Sequence, residues 1–334
     1  MVSGRPAGPA RRRALVPARC RTRAWQAALG VLIDRAAGEP PDALHPVAWF
    51  GRAMEGVERV GYADSRAAGA RYAVAGAALG AAAGLAVGAT APATALAVAG
   101  RALADAAGHV ARALDAGDLE RARDLVPALV GRDTASLDAK DIARAVVESV
   151  AENTVDAVVA PAMWAAAFGA PGALAHRAVN TLDAMVGHRS PRYARFGWAS
   201  ARLDDGAAYV PARVTVALVV AVRPRAARAV VRAVRTQAPA HPSPNAGVAE
   251  AAFAAALGLR LGGPSSYGGV GELRPVLGDG APPEPADIGR AVTLARDVSF
   301  ALVGLLGAVS VGQVALRRRL GPPAVSSAGA GWRR

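Results

Sequence analysis

Three stretches of this chain carry no ionisable side chain, and they limit the fold more than any motif does. They are residues 73–100, between Tyr72 and Arg101; 157–175, between Asp156 and His176; and 298–316, between Asp297 and Arg317. A helix needs roughly 20 mostly apolar residues to cross the hydrocarbon core of a bilayer, so each run is near or above that length. A fourth run, 206–222, is weaker because Arg213 interrupts it. The competing reading is a helix buried in a soluble protein, and it is strongest for the second run. The pattern predicts an all-α, polytopic integral membrane protein with about four hydrophobic spans and polar segments between them. Arg317, Arg318 and Arg319 directly follow the last run and point to a cytoplasmic C-terminus.

Where the charge sits narrows the partners. The 334 residues carry a formal net charge of +13. Residues 1–23 hold seven arginines and no acid, and residues 317–334 hold five arginines and no acid, which leaves +1 for residues 24–316. A nucleic-acid binder carries its basic stripe on the folded body, so nucleic acid is not an expected partner. Basic tails suit anionic lipid on a cytoplasmic face. The expected organisation is a basic leader (1–23), a membrane-embedded body that carries the chemistry (24–316) and a basic tail (317–334). The leader lacks a signal-peptide pattern, and its Cys20, the one cysteine, excludes an internal disulfide or a cysteine zinc cluster. A composition 53% hydrophobic but only 4% aromatic suits closely packed helices. It also follows from a GC-rich genome, so composition decides little.

Polar chemistry concentrates between the runs. Residues 101–156 read as amphipathic helices with breaks at Ala116-Gly117 and Val130-Gly131. The last of these helices starts at Asp138, a predicted N-cap, with Asp141 in its first turn. At about 100° per residue, Asp141, Glu148, Glu152 and Asp156 fall within roughly 80° of one another, opposite Ile142, Val146 and Val150. Such a ladder of carboxylates repels itself unless it is solvated, paired with Arg144 or occupied by a divalent cation. Asp156 borders a charge-free run, where ionisable groups are often functional. The second polar block, 176–205, puts His176, Asn180 and Asp183 on one helix face. After a stop at Gly187 it continues with Arg189, Arg192, Arg195, Arg202 and the pair Asp204-Asp205. Arginine forks match phosphates and carboxylates, and ordinary loop charge beside a membrane reads the same way. The third block, 239–290, opens with His241-Pro242-Ser243-Pro244-Asn245, an extended lead-in to a helix that Asn245 is placed to cap, whose free amides would bind anions. Neither a P-loop, a nucleophile elbow nor a His-Glu-x-x-His helix is present, and Lys140 is the one lysine.

Together the blocks resemble the CobD/CbiB family. The matching stretches are Asp34…Pro40…His45-Pro46, Val130-Gly131-Arg132-Asp133-Thr134, Val147-Glu148-Ser149-Val150-Ala151-Glu152-Asn153, Ala178-Val179-Asn180-Thr181-Leu182-Asp183, Pro191-Arg192-Tyr193…Phe196-Gly197-Trp198, Ala201-Arg202-Leu203-Asp204-Asp205, His241 to Gly247, and Leu277-Gly278-Asp279-Gly280. They run from about residue 28 to residue 295. Departures from the family pattern are Glu39 for Asp, Arg177 for Lys, His188 and Ser190 for Tyr and Asn, and Ser265 and Gly269 for Asn and Phe. Those in 262–270 leave the role of that segment open.

The resemblance implies a multi-pass cell-membrane enzyme of adenosylcobalamin synthesis, an adenosylcobinamide-phosphate synthase. Such a carbon–nitrogen ligase joins a propionate carboxylate of adenosylcobyric acid to (R)-1-amino-2-propanol or its phosphate, with ATP as co-substrate and Mg²⁺ as cofactor. Other membrane enzymes of the corrinoid pathway would be its protein partners. On this reading Glu148, Glu152 and Asp156 hold Mg²⁺, while Arg132 and Asp133 assist at the phosphates. Asn180 and Asp183 orient the reacting carboxylate or amine, and Asp205 assists proton transfer. Arg192, Arg202 and His241 bind anionic groups, with Asn245 at the anion-binding helix start. The rival expectation is a transporter or a non-catalytic membrane scaffold. Transporters place polar groups inside broken membrane helices, whereas here the polar clusters lie between the apolar runs.

Overall fold

The structure, a computed structural model, describes residues 22–38, 45–188, 190–267 and 270–320. Cys20, Glu39, Pro40, Arg189, Gly269 and most of both basic tails lie outside the described residues. The described residues form thirteen α-helices, a few short 3-10 and π turns, and one hairpin. Three helices are long and apolar enough to cross a membrane: α3 (Arg66–Val87), α10 (Trp198–Val222) and α13 (Pro285–Leu320). The chain is a helical membrane protein, as the charge-free runs predict.

The first run ends α3 at Gly88, whose φ of 68° lets the chain reverse into α4 (Thr90–Ala97). The second run does not form one span. It breaks at Gly169 (φ 75°) into α8 (Ala160–Phe168) and α9 (Ala170–Val186). Beside them run α1 (Arg23–Ala37) and α2 (Pro46–Gly61). α3 and α9 pack antiparallel along glycines spaced four apart. A Cβ at Gly76 would lie 2.6 Å from Leu182 Cδ1, one at Gly80 2.6 Å from Ala178 Cβ, and one at Gly84 would strike the Ala170 carbonyl. With no hydrophobic drive between helices in lipid, such close backbone approach supplies the packing energy.

A second body sets the more polar helices α5 (Gly100–Asp115), α6 (Leu119–Leu125), α7 (Ala139–Thr154) and α11 (Ala227–Thr236) around the apolar α12 (Ala246–Leu257). Breaks fall at Gly117 (φ 73°) and around Val130-Gly131, as read from sequence. Asp138 caps α7 by accepting from the Asp141 amide at 2.8 Å. The glycine-rich part of 239–290 holds what an all-helical reading leaves out. β1 (Leu261–Tyr267) and β2 (Val270–Leu277) form an antiparallel hairpin with a bulge at Leu261/Gly263. Gly262 and Gly263 sit at φ 82° and 93°, values that favour glycine.

α7 and α8 are one continuous rod interrupted by a π-helical turn, Val155–Val159. Pro161 explains it. Proline has no N–H to donate to the carbonyl four residues back and its ring clashes there, so the Ala157 carbonyl is left over. That carbonyl accepts from the Ala99 amide at 2.9 Å, and the Ala160 amide reaches back to Val155. π turns concentrate at functional sites, and this one carries Asp156.

Candidate functional site

On α7 the buried side is as the spacing requires: Ile142, Val146 and Val150 are fully enclosed. The carboxylate ladder opposite them divides. Asp141 pairs with Arg144 at 2.9 Å. Glu148 is buried and committed: Arg132 Nη2 lies 2.5 Å from Oε2, and the Gly262 amide donates to Oε1 at 2.8 Å. Glu152 is open to solvent although protein surrounds it, which places it on the wall of a cleft. That enclosure pushes its carboxyl above the usual range, against the pull of Arg274. The π turn then presents Asp156, which faces Asp204, Glu152 and Asp183.

α9 supplies Asn180 and Asp183, and α10 supplies Asp204 and Asp205. Asn180 Nδ2 donates to Asp204 Oδ1 at 3.3 Å. His176, one turn before Asn180, is buried with both ring nitrogens lacking a hydrogen-bond partner among the described residues, its ring 6.5 Å from that of Trp164. Among the described residues Glu152, Asp156, Asp183, Asp204 and Asp205 have no cationic side chain within ion-pair distance. The second half of the cleft lies under the hairpin, where Arg274 Nη1 stands 3.4 Å from His241 Nε2 and His241 stands 3.7 Å from Glu250 on α12. Burial holds the His241 imidazole below its usual value, so the positive charge there comes from Arg274. Arg144 donates to the Gly262 carbonyl at 3.0 Å and the Pro264 carbonyl at 2.8 Å, anchoring the hairpin to α7.

The cleft therefore gathers Arg132, Glu148, Glu152, Asp156, Asn180, Asp183, Asp204 and His241, with Asp133 beside Arg132 in the chain. Arg192 stands apart. Its guanidinium donates to Glu58 at 3.0 Å and packs 4.1 Å from the Tyr62 ring, fastening the 190–197 segment to α2. Arg202 is exposed on α10. Asn245 does not cap α12 with its side chain. Ser243 Oγ accepts from the Asn245 and Ala246 amides at 3.3 and 3.2 Å. The freed Asn245 side chain instead bridges the Asp205 carbonyl at 2.8 Å and Arg213 at 2.9 Å.

As for the metal, among the described residues no three acidic or histidine side chains come close enough to hold an ion alone. With Glu148 neutralised by Arg132, the three-carboxylate set Glu148, Glu152, Asp156 is not assembled. Glu152 and Asp156 still fit Mg²⁺, which takes one or two carboxylates and completes its shell with water and phosphate oxygens.

The family described as CobD/Cbib protein matches residues 27–295, which contain every residue of this cleft. The chain belongs to this family. CobD of Mycobacterium tuberculosis is 50% identical over 290 residues, covering 83% of this chain and 92% of that one. CobD of Chromobacterium violaceum is 44% identical over 305 residues (86% and 97%), and that of Rhizobium meliloti 36% over 310 residues (85% and 92%). Each bears the name cobalamin biosynthesis protein CobD. No solved structure matches the chain. Two cleft residues escaped the reading of motifs. Glu250 had a signal, as the lone acid in the apolar segment Ala246–Leu257. Arg274 had none, because nothing local to 270–277 shows that a hairpin folds it back onto His241.

Proposed function

We propose that this protein acts in cobalamin biosynthesis as an ATP-dependent amide synthase, joining a propionate carboxylate of adenosylcobyric acid to (R)-1-amino-2-propanol or its phosphate. The observation that carries the proposal is the convergence of family motifs from five segments onto one cleft, with carboxylates free of cationic partners at one end and Arg274 beside His241 at the other. A carboxylate and an amine do not condense readily in water, so the acid must first be activated, with an acyl phosphate as the natural form. At the end under the hairpin Arg132 is held by Glu148, and Arg274 beside His241 is the cation that suits phosphate oxygens. The acidic end, with Asp156, Asp183 and Asp204, attracts the ammonium form of the amine. An unpaired carboxylate there takes the proton that the amine must lose before it attacks. Asn180, fixed on Asp204, orients whichever group it meets. Mg²⁺ at Glu152 and Asp156 would neutralise phosphate charge as the acyl phosphate forms.

Glu152→Gln keeps shape and hydrogen-bonding reach while removing the charge. Product formation should fall at least a hundredfold, about 2.7 kcal/mol, with a raised Mg²⁺ requirement and the protein still folded in the membrane. Normal turnover with the same Mg²⁺ response would show that the acidic face is merely solvated. ATP consumption should require corrinoid acid and amine together, and consumption without them would remove the ligase reading.

A further inference from the structure

We infer that α10, long and apolar enough to cross a membrane, lies instead along one boundary of the bilayer, with both of its ends on the same side. The helices packed beneath it provide a ruler. At one level lie the end of α3, the start of α9 and Gly169: Gly84 abuts Ala170 and Pro171. The start of α1 lies at that level too, where Arg23 donates to the Ala167 carbonyl at 3.0 Å and Thr22 Oγ1 stands 2.6 Å from Ser310 Oγ of α13. At the opposite level lie the start of α3, the end of α9 and the end of α1, where Asp34 accepts from the Arg101 amide at 3.2 Å. Arg296 and Ser299 of α13 reach this second level beside Arg35 and Gly100. From Ser310 back to Asp297 α13 climbs about 20 Å, and α3 climbs about 27 Å from Gly84 to Arg66, at 1.5 Å per residue. Both put the second level roughly 20–27 Å from the first.

Both ends of α10 sit at the second level. At its start Gly69 of α3 abuts the Phe196 carbonyl, Gly197 abuts Val186 at the end of α9, and Arg66 stands 5.5 Å from the Trp198 ring. At its end Arg223 pairs with Asp297 at 2.7 Å. Between its ends α10 rests on the bundle, where Asp204 accepts from Asn180 Nδ2 at 3.3 Å and the Ala207 carbonyl accepts from Trp164 Nε1 at 3.1 Å. A 25-residue helix is about 37 Å long, so α10 lies across the bundle rather than through it.

The surface of α10 agrees independently. One side is buried, with Ser200, Asp204, Ala208, Pro211 and Thr215. The exposed side has an apolar strip, Leu203, Val210 and Ala217, and beside it a polar strip, Arg202 and Tyr209, with Arg213 half-buried against Asn245. A crossing helix would turn Arg202 and the Tyr209 hydroxyl toward lipid, where polar groups are costly. A helix lying in the boundary keeps the polar strip among headgroups and sinks the apolar strip into acyl chains. Residues 206–249 hold six arginines and no acid, and the basic amphipathic α11 continues directly from α10. The occupant of this exposed face is the interfacial layer of the bilayer. The inference holds whatever reaction the cleft carries out.

The test uses the full chain in sealed vesicles, in a Cys20→Ser background, with single cysteines at exposed positions. A membrane-impermeant maleimide should reach Ala194→Cys and Arg225→Cys from the same side, the side on which the cleft opens, and Arg318→Cys from the other; labelling after detergent is the reference. A cleft that meets cytoplasmic ATP thus puts Arg317–Arg319 outside, against the cytoplasmic C-terminus their charge predicts. Ala194→Cys and Arg225→Cys labelled from opposite sides would overturn the inference. Spin labels at Val210→Cys and Ala217→Cys give a second reading: both should report the same shallow depth, whereas a crossing helix would separate them by about 10 Å.

Discussion

Two glutamates one helical turn apart, Glu148 and Glu152, show how far spacing can be read and where it stops. Their shared face was legible because helical periodicity depends only on sequence separation. Their different fates were not, because the partner of Glu148 is Arg132, sixteen residues away across a loop. Removing one member of a buried ion pair leaves the other uncompensated, at a cost of about 3–5 kcal/mol. Glu148→Gln should therefore lower the thermal unfolding midpoint in detergent sharply. Glu152→Gln should leave that midpoint nearly unchanged, because its carboxyl is unpaired and its enclosed charge already opposes folding. Equal stability losses in the two variants would mean that both glutamates are structural. Arg192 teaches the converse. Residue type and the family motif around it make it an expected anion binder, yet Glu58 on α2 pairs with it, and no local pattern announces a partner 134 residues away.

Among the helices and strands, charge-free runs identified α3 and α13 because desolvating charge in hydrocarbon is costly wherever it occurs. They could not show that the run at 157–175 turns at Gly169, since glycine also occurs freely inside membrane helices. The hairpin was missed for a related reason. Its strands are held by Arg144 and Glu148 of α7 rather than by alternating hydrophobicity of their own. The α3–α9 glycine ladder gives a test at this scale. Gly80→Leu drives a side chain into Ala178 and the Leu174 carbonyl, so backbone must separate, at a cost of about 1–3 kcal/mol or more. Gly307→Leu on α13, where a Cβ meets nothing within 4 Å, should be close to neutral. Thermal melts in the same detergent compare the two, and equal effects would show that the ladder is not a tight contact.

For the molecule as a whole, the charge in the tails and the motifs in the body predict separable roles. Trimming both tails should leave the protein in membranes after an alkaline carbonate wash and active within about tenfold, roughly 1.4 kcal/mol in barrier. The structure sets where the cut belongs. Thr22 caps α1 by accepting from the Trp25 amide at 3.2 Å and also meets Ser310, so the deletion should cover 1–21 together with 321–334. A larger loss, or release into the wash, would place function in the tails. The bond from the Gly262 amide to Glu148 spans 114 residues of chain, and this has a consequence in time. During synthesis α7 leaves the ribosome long before the segment that closes over it. Until then Glu148 faces its loop arginine alone, and the cleft has no roof. A nascent chain can thus carry the carboxylate face of α7 while still having no closed place to react. Activity arrives late, in one step, when the hairpin emerges.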